Sequence, residues 1–554
     1  MVSKAKSRMT NSPAQIFAAN LLAQLVANGV DHIFLAPGSR SQALAIAAGQ
    51  LAAEGHVQLH VRLDERSLAF NALGVGLVSG FPAAVITTSG SAVANLHPAV
   101  LEANHAGVPM ILLTADRPAE LRGVGSNQTT NQVGIFADAV RECVDVPAPE
   151  ESDSSETLAD AARVFALNAI ADSINQAGPV QLNLAFREPL SSAEPKSSSI
   201  FAELIAKQLE SPAPPTGEIL AVVDSEHQHP DPLFSEPSTV IDLRLKTVVV
   251  AGDAGDLARW YCTGLPLLAE PSSGVRGLPE SVPGYLMVLR NHPGLVDQVE
   301  QVLVFGKPTL SREVQALLRR QNIKVYADPG RHGVFNPGHN AQVLGDDVEF
   351  VGEPDSAWLK LWQQTGDQEL AALPNPMPKR GVTRRQLVEA VYATASEQKP
   401  VVLGASRLIR VADVFAPKKN VAVYANRGLA GIDGTIGTAT GIALTNPGAR
   451  VRVLLGDLTL LHDAGSLAID PKDVQLNVQL VVGNDGGGTI FEGLEVAKSI
   501  EPSELERLFK TPQKVNLAQL AAAYGWGYVK VETFDELAPA LKSRGRVIVD
   551  VQLA

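Results

Sequence analysis

Apolar residues return at helical spacing near the start of the chain: Ile16, Phe17, Leu21, Leu22, Leu25 and Val26. Ser12 and Pro13 ahead of them suit a cap and a first helical position, and Gly29 suits a stop, so the pattern predicts a helix between them. HIFLAPG then reads as a short apolar strand ending in a glycine turn. VQLHVRL, AAVITTSG and PMILLTAD read as further strands, with helical patterns between them. Alternation of this kind predicts a parallel sheet covered on both faces.

The pattern is interrupted twice. From Glu188 to Thr239 the chain is rich in Ser, Pro and acidic residues, which reads as a linker with a peripheral segment; AALPNPMPKRG forms a second, Pro-rich break. Between the breaks, TVVVAGDAG and QVLVFGKP are apolar strands running into glycine turns, and VQALLRRQNIKVYAD is a helix followed by a strand. After the second break the first block's grammar returns: helix RRQLVEAVYATA, strands PVVLGAS and VAVYAN, a Gly-rich turn and helix, then strands VRVLLGD and NVQLVVGND. The expectation is an α/β protein of three domains with parallel sheets flanked by helices, over 11–190, 191–378 and 379–554, the first and third alike. Ligands of such folds gather beyond the carboxyl ends of the strands.

Composition narrows this picture. A chain of 554 residues accommodates three or four domains at ~150 residues each. The net charge of −13 argues against a strongly basic face, so nucleic acid is not an expected partner. Two distant cysteines, Cys143 and Cys262, suggest neither a disulfide framework nor a zinc cluster. The basic N-terminus MVSKAKSRMTNSP has no apolar stretch behind it, and no run of ~18 apolar residues predicts a membrane span. A cytoplasmic protein without stable membrane insertion is expected. The eleven histidines show no HExxH or paired metal-ligand spacing; His97 and His105 fall in helical patterns, and His60 and His462 carry no assigned role. TVVVAGDAG lacks GxGxxG followed by an acidic residue, so a dinucleotide oxidoreductase is weakly supported.

Two strand ends carry chemistry. Gly456-Asp457 closes VRVLL, and Asn484-Asp485-Gly486-Gly487-Gly488 closes VQLVV; Asp457 and Asn484 lie 27 positions apart, compatible with neighbouring strands. Asp457 offers a carboxylate, Asn484 an amide oxygen and Gly486 a backbone carbonyl. Three hard oxygens suit Mg²⁺, with phosphate oxygens and water completing the shell, and glycines permit close approach to an anion. Each piece alone is equally an ordinary turn. Together they resemble the thiamine-diphosphate motif of the pyruvate-decarboxylase-type superfamily, except that Leu458 stands where GDG is usual.

APGSRSQALA, RLDERSLAF, TTSGSAVANLHPAVLEA, ADRPAELRGVGSNQT, NRGLAGIDGT, GDLTLLHD and NDGGGTIF, in this order, resemble the 2-succinyl-5-enolpyruvyl-6-hydroxy-3-cyclohexene-1-carboxylate synthase family. GDL is the usual form there. The resemblance covers most of the first and third blocks and is weak in the middle. It implies a first domain binding the pyrimidine of thiamine diphosphate and a third binding its diphosphate through Mg²⁺ or Mn²⁺. It also implies active sites between subunits of a homodimer or dimer of dimers. Read alone, Glu65 is a solvated strand end flanked by Arg62, Asp64 and Arg66. The resemblance makes it a buried carboxylate that hydrogen-bonds the aminopyrimidine and favours the imino tautomer, which deprotonates the thiazolium C2.

The implied substrates, 2-oxoglutarate and isochorismate, each carry two carboxylates, and Arg matches carboxylate geometry. Arg40, Arg117, Arg410 and Arg427 fall on family motif positions; Arg312, in KPTLSR, lies in the poorly matching middle block. Singly, each is equally a surface residue. Ser39, Asn127, Gln128 and Ser406 resemble family substrate or cofactor contacts, with turn and cap chemistry as their plainer reading. Ile490 and Phe491 are expected to form an apolar wall beside the thiazolium. The implied reaction is decarboxylation of 2-oxoglutarate and conjugate addition of the four-carbon carbanion to isochorismate, a step of menaquinone biosynthesis. The alternative is another thiamine-diphosphate 2-oxo-acid carboligase or decarboxylase, such as an acetohydroxyacid synthase, which predicts GDG and different substrate loops. A non-catalytic relative that kept the fold predicts loss of Glu65, Asp457 or Asn484, and all three are present.

Overall fold

The computed structural model describes residues 12–191, 239–331, 333–345 and 347–554. Most of the linker expected between Glu188 and Thr239 falls outside the described residues. The chain divides into two compact units, one of residues 1–230 with 468–473, the other of 231–467 with 474–554.

The first helix spans Pro13–Ala27. Ser12 caps it: its Oγ accepts from the Gln15 amide at 3.2 Å, and the Gln15 side chain returns to the Ser12 amide at 3.2 Å. This reciprocal pair satisfies two otherwise orphaned donors. Gly29, at φ 99°, turns the chain out of the helix as expected. The first unit's sheet consists of β1 (His32–Leu35), β2 (Gln58–Val61), β3 (Ala83–Thr87), β4 (Met110–Asp116), β5 (Cys143–Val146) and β6 (Pro179–Ala185). Every pairing is parallel and the order is β2-β1-β3-β4-β6-β5. Alternate residues Ile33, Leu35, Ala84, Ile86, Ile111 and Leu113 face one core with the first helix and with Ser155–Asn175. The period of two is that of a strand.

In the second unit, β7 (Thr239–Asp242) pairs with β13 (Val348–Val351). A five-stranded parallel sheet runs β12 (Ala341–Val343), β11 (Lys324–Ala327), β10 (Gln301–Phe305), β8 (Thr247–Ala251) and β9 (Leu267–Ala269). Its alternation is sharp: Val248, Val250, Val302 and Val304 enter one core, Val249, Ala251, Leu303 and Phe305 the other. Continuous apolar runs are what a sheet buried on both faces requires. A further six-stranded sheet comprises β14 (Val401–Leu403), β15 (Val423–Tyr424), β16 (Val451–Gly456), β17 (Val478–Asn484), β18 (Gly527–Val531) and β19 (Val547–Gln552). Its order, β15-β14-β16-β17-β19-β18, repeats strand for strand that of the first unit. The expected likeness of the first and third blocks is therefore topological as well as local.

Strands β5, β6, β7, β9, β12, β13, β18 and β19 have no counterpart in the apolar pattern above. In β6 the reason is visible: Gln181 and Asn183 interrupt its run, yet both are fully buried. Gln181 donates to Thr114 Oγ1 at 3.0 Å, and Asn183 Nδ2 donates to Asp116 at 3.1 Å and Asp145 at 2.9 Å. Polar side chains go inside when their partners are there to meet them. Both cysteines are free, and no helix among the described residues is long and apolar enough to cross a membrane.

Candidate active site

The strongest concentration of expected residues lies at the carboxyl ends of β14, β16 and β17. Register places Gly456 of β16 beside Gly483 of β17, so Asp457 and Asn484 leave adjacent strands at the same level. A cavity of about 500 Å³ opens there, lined by Ser406, Arg410, Arg427, Asp457, Ile490 and Phe491 among others. Ser406 also caps the helix Arg407–Phe415, its Oγ accepting from the Leu408 amide at 3.1 Å. Arg410 reaches back to the Ser406 carbonyl at 3.2 Å. Burial lowers the Arg410 pKa, and the nearby Arg427 charge lowers it further. Two guanidinium groups thus converge on one cavity without neutralising each other, an arrangement suited to an anion with two carboxylates.

Asp457 opens a short helix, Asp457–His462, and is only 7 % exposed. Burial pushes its carboxyl up to about 6, with the Asp485 carboxylate adding to the rise and the backbone N–H groups of Leu458 and Gly487 opposing it. Asp485 has a cation: Arg384 donates to its Oδ2, as does Thr489 Oγ1. Among the described residues no cation pairs with Asp457. A buried carboxylate beside a second one, with no counter-ion of its own, fits a bound divalent cation. Asn484 fits as well, because its Nδ2 donates to Asp550 at 3.0 Å, which leaves Oδ1 on the side of the Gly486 amide (3.3 Å). Gly486 and Gly487 take φ of 76° and 132°. A Cβ on Gly487 would stand 2.5 Å from the Lys510 carbonyl oxygen. The turn is thus closed to a side chain and keeps its backbone available to a diphosphate. Asn484 and Gly486 adjoin the cavity lining in sequence without forming part of it. No cluster of three His, Cys, Asp or Glu side chains suits a metal among the described residues; the expected set has one carboxylate, one amide and one carbonyl, and is of another kind.

The remaining expected residues except Arg312 lie in the first unit. Arg117 is buried and gathers its neighbours: its Nη1 donates to Ser89 Oγ at 2.7 Å and to the Gln128 carbonyl at 2.7 Å. Gln128, in the left-handed region at φ 54°, closes the motif by donating to the Ser89 carbonyl at 2.9 Å. Arg40, also buried, donates to the Phe186 carbonyl at 3.0 Å and approaches Glu188 at 3.6 Å. Burial lowers its pKa, followed by the charge of Arg117. A second pair of close arginines results. Ser39 and Asn127 are exposed nearby in sequence.

Two expectations need correction. Glu65 neither ends a strand nor is buried in this chain. Strand β2 stops at Val61, and Glu65 is the first residue of the helix Glu65–Ser79, half-exposed and capped by Asp64. Its Oε2 accepts from Asn95 Nδ2 at 3.3 Å. The run HVRLDE looked continuous because Leu63 is apolar, yet Leu63 is 83 % exposed. Arg312 begins the helix Arg312–Leu318 with its side chain 78 % exposed and paired to Glu495 at 2.7 Å, outside the cavity lining. Thr309, three residues earlier, takes a place in the lining and receives a hydrogen bond from Arg427 Nη2. Residues 407 and 485 also belong to the lining. Their signal was available in GASR and NDGG, where each stands next to a residue already singled out.

Family models agree with this division of labour. Residues 17–135 match the thiamine pyrophosphate enzyme N-terminal TPP binding domain, and 405–551 match the C-terminal TPP binding domain. A 2-succinyl-5-enolpyruvyl-6-hydroxy-3-cyclohexene-1-carboxylate synthase of Leifsonia xyli is 43 % identical over 98 % of this chain and 97 % of its own. The synthase of the same name from Clavibacter michiganensis is 44 % identical over 99 % and 97 %. That of an Arthrobacter species is 41 % identical over 95 % and 87 %. With similarity of this extent added to the strand-end geometry, the chain belongs to the 2-succinyl-5-enolpyruvyl-6-hydroxy-3-cyclohexene-1-carboxylate synthase family of thiamine pyrophosphate enzymes.

Proposed function

We propose that the protein decarboxylates 2-oxoglutarate and joins the remaining four carbons to isochorismate by conjugate addition, as a cytoplasmic homodimer or dimer of dimers divided at 11–190, 191–378 and 379–554. The observation that carries the reading is the cavity itself. A buried carboxylate with no counter-ion among the described residues, a glycine turn closed to side chains and two converging arginines meet at the ends of three parallel strands.

Thiamine diphosphate, when bound, supplies the nucleophilic carbon and the electron sink that decarboxylation of a 2-oxo acid demands. Asp457, the Asn484 amide oxygen and the Gly486 carbonyl would hold Mg²⁺ or Mn²⁺, which would supply positive charge for binding the diphosphate. Glu65 holds a proton at the aminopyrimidine ring. Arg410 and Arg427 of the second unit, and Arg40 and Arg117 of the first, bind and orient substrate carboxylates, with Ser39, Asn127, Gln128 and Ser406 as polar neighbours. Ile490 and Phe491 wall the reacting carbon from water, which keeps a developing carbanion from being protonated. Arg312 joins the substrate contacts only by leaving Glu495.

The test is isochorismate consumption by the purified protein, with 2-oxoglutarate, thiamine diphosphate and Mg²⁺ each present or omitted. Loss of isochorismate with CO₂ release only in the complete mixture is the expected result. CO₂ release without isochorismate loss would reject the acceptor, and binding of thiamine diphosphate with no turnover would reject the substrate pair.

A further inference from the structure

Arg427 owes its position to the middle of the chain. Its Nη2 donates to Thr309 Oγ1, and the next residue, Gly428, offers its carbonyl to Lys307 Nζ at 2.6 Å. Arg427 is 5 % exposed, and its Nε has no hydrogen-bond partner among the described residues. The loop 306–310 that grips it is itself tightly held. A Cβ on Gly306 would stand 2.1 Å from the Asp253 carbonyl oxygen, and one on Gly252 would stand 2.0 Å from the Pro308 nitrogen. At its far end, the Leu310 amide donates to Glu270 Oε1 at 2.8 Å.

Glu270 is an unusual residue to find there. It follows β9 directly, is 1 % exposed, and leaves its Oε2 without a hydrogen-bond partner among the described residues. Burial holds its carboxyl well above the usual carboxylate range, the Asp413 and Asp253 charges add to the rise, and the Leu310 amide and the Arg427 charge oppose it. Burying a carboxyl group costs stability unless something fixes it. An apolar residue would fill this place in an ordinary core. Glu270 instead ties the loop on one side of Arg427 and lends it a nearby acidic group.

We infer that Glu270 is a positioning residue, which aims the Arg427 guanidinium into the cavity by anchoring the Thr309 loop through the Leu310 amide. The middle block then contributes to substrate binding through residues 270 and 307–310, whether or not Arg312 leaves Glu495. The inference rests on the reading of Arg427 as a carboxylate-binding residue.

The test compares Glu270→Ala, Glu270→Gln, Thr309→Val and Arg427→Ala in the full chain loaded with thiamine diphosphate and Mg²⁺. KM for 2-oxoglutarate, KM for isochorismate and kcat are measured separately, and thiamine diphosphate affinity serves as the folding control. Arg427→Ala is expected to raise KM for at least one substrate. Glu270→Ala is expected to raise the same KM by about tenfold, the loss of one positioned hydrogen bond, with cofactor affinity unchanged. Glu270→Gln keeps an acceptor for the Leu310 amide and is expected to stay within about threefold of the unaltered protein. Combining Glu270→Ala with Arg427→Ala should add nothing further, because both act through one guanidinium. Should Glu270→Ala fail to fold, Thr309→Val removes the grip on Arg427 from a less buried site and is expected to raise the same KM. An unchanged KM in Glu270→Ala or, failing that, Thr309→Val, or losses that multiply in the double variant, would overturn the positioning role while leaving Arg427 as a binder. If Arg427→Ala itself moves neither KM, the reading of Arg427 falls, and this inference with it.

Discussion

Two residues show how environment sets chemistry. Glu65 stands half-exposed at a helix N-terminus, where its Oε2 accepts from Asn95 Nδ2 at 3.3 Å. A carboxylate there suits the assigned role of holding a proton at a cofactor nitrogen. Glu65→Gln is expected to lower kcat by about a hundredfold or more, the usual weight of a general acid–base group, while cofactor affinity falls far less. Steady-state turnover beside a thiamine diphosphate titration checks this, and full turnover in the variant would refute the role. His32 is a case in which burial leads. Its Nδ1 lies 3.1 Å from His60 Nε2, whose other nitrogen faces Asp473 at 3.4 Å. Burial, then the His60 charge, lowers the His32 pKa to about 4. The unfolded ring titrates near 6.5, so between about 6.5 and 4 the unfolded state binds more protons. The His32 contribution to stability is therefore complete above pH 6.5 and declines as pH falls toward 4, by up to about 1.4 kcal/mol per unit. Denaturant unfolding at a series of pH values should show a shallower decline for His32→Phe than for the parent, and identical slopes would reject the assignment.

At the scale of elements, the turn after β17 is the most constrained segment of the site. Gly487 has φ 132°, a conformation that L side chains rarely adopt, and its Cβ position is filled by the Lys510 carbonyl. Gly488 N donates to that same carbonyl at 2.7 Å, so the backbone cannot yield without losing a bond. Gly487→Ala should cost about 2 kcal/mol or more of stability and weaken thiamine diphosphate binding. Gly486, where no atom lies within 4 Å of a Cβ, should cost less for the same change. Melting curves with and without cofactor compare the two, and equal losses would contradict the steric argument. Elements also mark the limit of pattern reading. Strands with uninterrupted apolar runs, such as MILL of β4, VVVA of β8 and VLVF of β10, stand out in the sequence because burial on both faces demands them. Strand β6 does not, because Gln181 and Asn183 find partners only once β4 and β5 are beside them.

For the whole molecule, the proposed reaction needs both Glu65, which lies in the first unit, and Asp457, which lies in the second. If the two come from different subunits, as the family reading implies, inactive variants should complement each other. A heterodimer of Glu65→Gln and Asp457→Asn subunits would carry one doubly damaged site and one intact site. Random reassembly of equal amounts should then recover about a quarter of the full activity, since half of the dimers are mixed. Recovery no greater than the single variants would mean that each site is built within one chain. Sedimentation of the mixture confirms that subunits have exchanged.

The amino-acid sequence by itself determined the α/β class, the repetition of the first block in the third, and the strand-end residues Asp457, Asn484 and Gly486. These follow from local rules: apolar runs make buried strands, and glycines with acidic residues follow where strands end. It also carried the family resemblance through Glu65 and the motif arginines. Tertiary structure alone decided which arginines share a cavity with Asp457. Arg427 enters it by way of Thr309, while Arg312, three residues further on, turns out to solvent and pairs with Glu495. Side-chain direction at a helix start depends on what packs behind it, which spacing along the chain does not encode. The same holds for Asp457 and Asp485, identical in type and close in space. Among the described residues Asp485 has Arg384 as its cation and Asp457 has none, and it is the placement of the helix Arg384–Ala393 that brings this guanidinium to Asp485.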